Sequence, residues 1–171
     1  ISSSKRFASN ITAIRQIKRK EGIFKPFPGW INQTLLQTLH NSGIVKLYSH
    51  QAEALECIAT GKNLVIVTPT ASGKTLCYNI PVINAILNEG DVRALYLFPT
   101  KALAQDQMAG INDIINLLQH DIKVFTYDGD TPGDARKGIR QQGYIVITNP
   151  DMLHTGILPH HTKWQKLFSC L

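Results

Sequence analysis

Asn63-Leu-Val-Ile-Val-Thr-Pro-Thr-Ala-Ser-Gly-Lys-Thr75 divides into three parts. Residues 63–68 are a β-branched apolar run bounded by turn signals, which predicts a buried parallel strand. Residues 68–73 form a tight loop, and a helix is expected over 74–87. A loop set between a strand and a helix N-terminus can cradle phosphates with its backbone N–H groups. Pro69 stiffens the turn, Thr70, Ala71 and Ser72 line it, and Gly73 lets the backbone approach closely. Lys74 then reaches the outer phosphates, and the Thr75 hydroxyl can coordinate Mg²⁺. The stretch therefore predicts a nucleoside triphosphate site with Lys74 and Thr75 as its catalytic members. Thr68 stands where the common motif has its first Gly.

Working outward, the same strand-then-helix grammar repeats. Strands are expected at 94–98, 123–127 and 144–148, and helices at 31–40, 47–59, 101–118 and 135–141. Short apolar strands alternating with helices predict an α/β domain with a mostly parallel sheet covered on both faces. Ligands in such sheets bind at the carboxyl ends of the strands. Phe24 to Trp30 is aromatic and Pro-rich and reads as a linker packing onto something. Residues before it carry Arg15, Lys18, Arg19 and Lys20 close together, readable as a solvated arm or as a phosphate-contacting patch.

The bulk numbers narrow the class. The chain has 171 residues, enough for one domain with a sizeable core. Its apolar fraction of 43% is that of a globular protein. A formal charge of +6 is compatible with a nucleic-acid partner without requiring one. Cys57, Cys77 and Cys170 have no metal-ligand spacing and read as free thiols. His154, His160 and His161 cluster without acidic or Cys companions, so a structural or surface role is expected for His154. No apolar run is long enough to cross a bilayer, and nothing signals an oligomer.

Three further segments bear on function. Leu47-Tyr-Ser-His-Gln-Ala-Glu-Ala-Leu55 precedes the loop, and Phe98-Pro-Thr-Lys-Ala-Leu-Ala-Gln-Asp-Gln107 follows the second strand. Thr148-Asn-Pro-Asp-Met-Leu-His154 follows the last strand. With Thr68 to Thr75, these resemble the first motor domain of superfamily 2 helicases, the group that includes the DEAD/DEAH-box proteins. More narrowly the chain is similar to the YprA-like/Hrq1-like, RecQ-related branch. The resemblance implies a P-loop NTPase fold of RecA type, a three-layer αβα domain.

It also implies roles. Gln51 would be the adenine-recognising glutamine, since its amide offers one donor and one acceptor to the base edge. Tyr48 would either stack on the base or pack in the core. Pro99, Thr100, Lys101, Gln105 and Gln107 would hold a nucleic-acid backbone, with Thr100 capping its helix. Tyr127-Asp-Gly-Asp-Thr-Pro132 resembles the family's glycine-containing turn and brings in Gly129. Thr148, Asn149, Pro150 and Asp151 would add backbone contacts, with Asp151 capping the following helix. The implied cofactors are ATP and Mg²⁺, and the implied partners are single-stranded or partly duplex DNA and a second motor domain.

Residues 1–26 are then a basic arm, and 27–171 a partial ATP-binding domain. Ile1 and Leu171 read as cut ends, short of the family's Asp-Glu motif, so this stretch alone is expected to hydrolyse ATP negligibly. The cytoplasm is slightly favoured, or the nucleus in a eukaryote. A nucleic-acid-binding module without catalysis, an RNA helicase and another P-loop ATPase remain as alternatives.

Overall fold

A computed structural model describes residues 12, 13, 15 and 21–171. The expected patch at Lys18, Arg19 and Lys20 lies outside the described residues.

Three parallel strands carry the domain: β3 (Ala94–Leu97), β4 (Val124–Thr126) and β5 (Ile145–Thr148), in the order β3-β5-β4. The register pairs Ala94 and Val124 with Ile145, and Leu97 with Thr148. All four residues of β5 are buried, as a central parallel strand requires. Side chains alternate between the faces. Ile145, Ile147, Ala94 and Val124 enter one core, whereas Val146, Leu95 and Phe125 enter another. Two cores on one sheet make three layers.

The first core is covered by α1 (Gln33–Asn41), α2 (Ser49–Ala59), α3 (Thr75–Glu89) and α4 (Lys101–Leu118). Asn32 starts α1 by accepting from Thr34 N at 2.9 Å, and its own N–H donates to Asn84 Oδ1 of α3 at 2.7 Å. Leu35 and Leu39 of α1 are completely buried, about 1.5–3 kcal/mol apiece. Tyr96 of β3 lies beneath α3 and donates to Asn79 Oδ1 at 3.1 Å, and burial pushes its phenol well up. The second core is closed by α5 (Gly133–Gln142) and by the chain after β5. That chain runs as α6 (Pro150–Met152), a π-helical turn Leu153–Ile157, a 3₁₀ segment Leu158–Trp164 and α7 (Gln165–Phe168).

Two expectations are corrected. Residues 63–68 form no ladder with any described strand: Val65 is 86% and Val67 89% exposed, while Ile66 and Thr68 are half-buried. The run keeps the two-residue alternation of extended chain without a pairing neighbour. Phe24 to Trp30, expected as a linker, contains β1 (Phe24–Lys25), antiparallel to β2 (Leu47–Tyr48). The expected helix at 47–59 accordingly starts at Ser49, because Leu47 and Tyr48 pair with β1.

Candidate nucleotide site and nucleic-acid face

The phosphate loop is held from behind by α2. Gln51, only 2% exposed, accepts from Tyr48 N at 2.8 Å and donates to Gly73 O at 2.8 Å. The neighbouring His50 places Nε2 at 3.1 Å from Ser72 O. Gly73 has φ +74°, and a Cβ there would lie 2.6 Å from Gln51 Nε2. Glycine is therefore needed twice over, for its backbone angle and for the approach of the amide. Ala71 also adopts a positive φ, 59°, which costs an L-residue roughly 1–2 kcal/mol.

Lys74 is folded across the loop. Its Nζ donates to Thr68 O at 2.9 Å and Pro69 O at 2.8 Å, with Thr68 Oγ1 and Ser72 Oγ each at 3.3 Å. Thr68 and Ser72 share a hydroxyl hydrogen bond of 2.6 Å. Where the common motif has Gly, Thr68 thus contributes a hydroxyl that orders the loop's mouth. The donor set fits a phosphate chain and its metal: a mobile ammonium, a helix N-terminus and the Thr75 hydroxyl, half-buried at the first residue of α3.

Beside Gly73 opens a mostly apolar groove of about 580 Å³, lined among others by Phe24, Ile44, Val45, Tyr48, Gln51 and Leu76. Phe24 stacks on Tyr48 with centroids 4.8 Å apart, and Tyr48 on His50 at 5.8 Å. Tyr48, 41% exposed, keeps a face open. The groove has the size and flatness that suit a purine. Sequence reasoning missed Phe24 and His50 here, and only the aromatic at 24 gave a signal.

The loop also connects forward. Gln107 Oε1 of α4 accepts from Tyr78 OH at 2.6 Å and lies 3.4 Å from Thr75 Oγ1. Gln107 is therefore brought to the nucleotide loop, apart from the other residues expected on a nucleic-acid backbone. Tyr78 was not foreseen. Its phenol is pushed up by burial, so it remains a donor to that amide.

The remaining nucleic-acid candidates lie at the carboxyl ends of β3, β4 and β5. Thr100 caps α4 by accepting from Leu103 N at 3.2 Å, with Pro99 exposed before it. Lys101 pairs with Asp130, whose carboxylate holds the lysine ammonium above its usual value. Gly129 sits exposed in a turn tied by Asp128 Oδ1 accepting from Asp130 N at 3.0 Å. Thr148 is buried and gives its hydroxyl proton to Tyr127 O at 2.6 Å. Asn149 caps the next helix, accepting from Met152 N at 2.7 Å. The cap is thus Asn149, not Asp151, because Pro150 occupies the first helical position and leaves Asp151 in the first turn. Asp151 and Gln105 are exposed. Thr100, Lys101, Thr148 and Asn149 all line one narrow crevice, which Gln105, Gln107 and Gly129 do not join.

A family model for DEAD/DEAH box helicases matches residues 48–170. The chain belongs to that family. It is 52% identical over 162 residues to the uncharacterized ATP-dependent helicase YprA of Bacillus subtilis, covering 95% of this chain and 22% of that protein. It is 40% identical over 144 residues to the ATP-dependent helicase hrq1 of Schizosaccharomyces pombe, covering 82% and 14%. Among solved structures, the DUF1998 helicase MrfA bound to DNA and AMPPNP matches with a TM-score of 0.90 and 48% identity, over 99% of this chain and 25% of that one. The chain thus spans less than a quarter of the curated relatives named here. This DEAD/DEAH box domain has the RecA-like α/β fold, and its branch is the YprA-like, Hrq1-like one.

Proposed function

We propose that this chain is the ATP-binding part of an ATP-dependent DNA helicase. In the whole protein, nucleotide turnover would be coupled to movement along nucleic acid. The observation that carries the reading is the double tether of the phosphate loop. Gln51 ties Gly73 back to the base groove, and Gln107 links Thr75 forward to α4, the helix whose amino end bears Thr100 and Lys101. A change at the phosphates is thereby linked mechanically to the backbone-holding crevice.

Within this scheme the adenine lies in the groove beside Tyr48 and Gln51. Both atoms of the Gln51 amide already serve the protein, and the second N–H and second lone pair remain for the base edge. Lys74 exchanges its carbonyl partners for the outer phosphates, and Mg²⁺ joins Thr75 Oγ1 to those phosphates. Strand contacts come from Thr100, Lys101, Asn149 and the turn at Gly129, all directed to backbone and indifferent to base identity. DNA is favoured over RNA because MrfA is described bound to DNA.

The test is Lys74→Ala in the full-length protein. DNA-stimulated ATP hydrolysis and strand separation should both be lost while the protein still binds single-stranded DNA. An unimpaired unwinding rate overturns the reading.

A further inference from the structure

The most cationic cleft in the described structure is separate from the nucleotide site and from the narrow crevice above. It has about 420 Å³ and lies over the second core, between α5 and the chain after β5. Arg136, Arg140, His160 and Lys163 line it, and no acidic side chain among the described residues does. Arg136 and Arg140 are four residues apart on α5 and so project from one face. Tyr127 borders both this cleft and the crevice of Thr100, Lys101, Thr148 and Asn149, so the two are consecutive along the carboxyl ends of the strands.

The cleft is built rather than incidental. Arg136 is fixed by Nε donating to Thr131 O at 3.0 Å and by its guanidinium lying 5.5 Å over the Tyr127 ring. That leaves its outer N–H fork for a ligand. The floor is rigid: Trp164, 1% exposed, meets Tyr127 edge to face at 4.7 Å. One wall is the π-helical turn Leu153–Ile157, a geometry frequent at functional sites. It brings Thr155 and the backbone of Gly156 to the cleft, and a Cβ at Gly156 would lie 2.2 Å from Met152 Cε. With Tyr127 and Trp164 both buried, no aromatic face is open for a base to stack on. What remains is positive charge, forked donors and a hydroxyl, the chemistry that recognises a phosphate.

We propose that this cleft seats a backbone phosphate of the bound strand, extending the grip beyond the Lys101 crevice, and that Arg140 and Lys163 supply much of its charge. The proposal rests on the DNA-binding reading above. The same chemistry would accept free inorganic phosphate, and the experiment separates the two sources.

The experiment uses the full-length protein, labelled oligothymidylate, and anisotropy titrations across a range of salt. Variants are Arg140→Gln/Lys163→Gln, the single exposed change Lys163→Gln, and Lys101→Ala as a marker of the neighbouring crevice. Each phosphate released from a single strand changes the log–log salt slope by about 0.7. The double variant should shallow the slope by roughly 0.7–1.4 and weaken binding about tenfold at low salt. Lys163→Gln should move both in the same direction by less, which guards against a double variant that fails to fold. Unchanged affinity and slope in Lys163→Gln and the double variant, with Lys101→Ala still weakened, overturns the cleft and leaves the helicase reading standing. No strand binding by the unsubstituted protein overturns both. If inorganic phosphate binds and the substitutions abolish that binding without altering strand affinity, the cleft is a free-anion site and the proposal falls.

Discussion

Replacing Gln51 by Ala separates two roles that the structure combines in one side chain. The amide bridges Tyr48 N and Gly73 O, each at 2.8 Å, from a position 2% exposed. Each hydrogen bond contributes about 1 kcal/mol net, so losing both costs about 2 kcal/mol. If Tyr48 N and Gly73 O find no water, the cost rises to about 4 kcal/mol, because an unsatisfied buried group forfeits its full desolvation energy. For a domain of this size, about 2 kcal/mol lowers Tm by roughly 4–8 °C. The loss should be local first, with faster amide hydrogen exchange over residues 48–51 and 73–77. Gln51→Glu preserves the acceptor for Tyr48 N but turns a second oxygen towards Gly73 O, and should destabilise comparably. Scanning fluorimetry, hydrogen exchange and ATP and GTP titrations on the full-length protein test this. A Gln51→Ala protein with unchanged exchange over both segments and unchanged melting refutes the tether, even if base preference is lost.

Ala71→Gly removes the strain of a positive φ and should stabilise by up to about 1 kcal/mol, less the entropy glycine adds to the unfolded chain; a lower denaturant midpoint would contradict it. Asp130→Asn releases Lys101 from its exposed partner and should raise single-stranded DNA affinity a few-fold at low salt, an advantage that fades as salt rises. Equal affinities at low salt would show that Lys101 does not meet the strand. Trp164→Ala empties the floor of the second core and should cost about 3–5 kcal/mol, measured by chemical denaturation.

The strands at 94–98, 123–127 and 144–148 were legible to within one residue at either end, because parallel strands buried on both faces are continuous apolar runs. Lys101 to Leu118 was legible at both ends, with Pro99 and Thr100 marking the start. Residues 63–68 carry the same composition and yet pair with no described strand. Composition reports the propensity to be extended, whereas a strand is completed by its neighbour. The loop's residue types were legible, but its mechanics were not. Nothing in the order Tyr48, Gln51, Gly73 states that one amide spans all three. Nor does the spacing reveal that Gln107 reaches back to Thr75 instead of joining the crevice. The cationic cleft was still less visible, since Arg136, Arg140, His160 and Lys163 come from two segments separated by β5.

The exposed alternation of Val65 and Val67 bears on how this chain behaves in a tube. A β-branched segment without charge and without a ladder is an adhesive edge between molecules. Concentrated samples of the 171-residue chain should form oligomers and then precipitate, a colloidal property independent of nucleotide. A single lysine at Val65 or Val67, where the side chain already faces solvent, should act as a gatekeeper and keep the chain monodisperse.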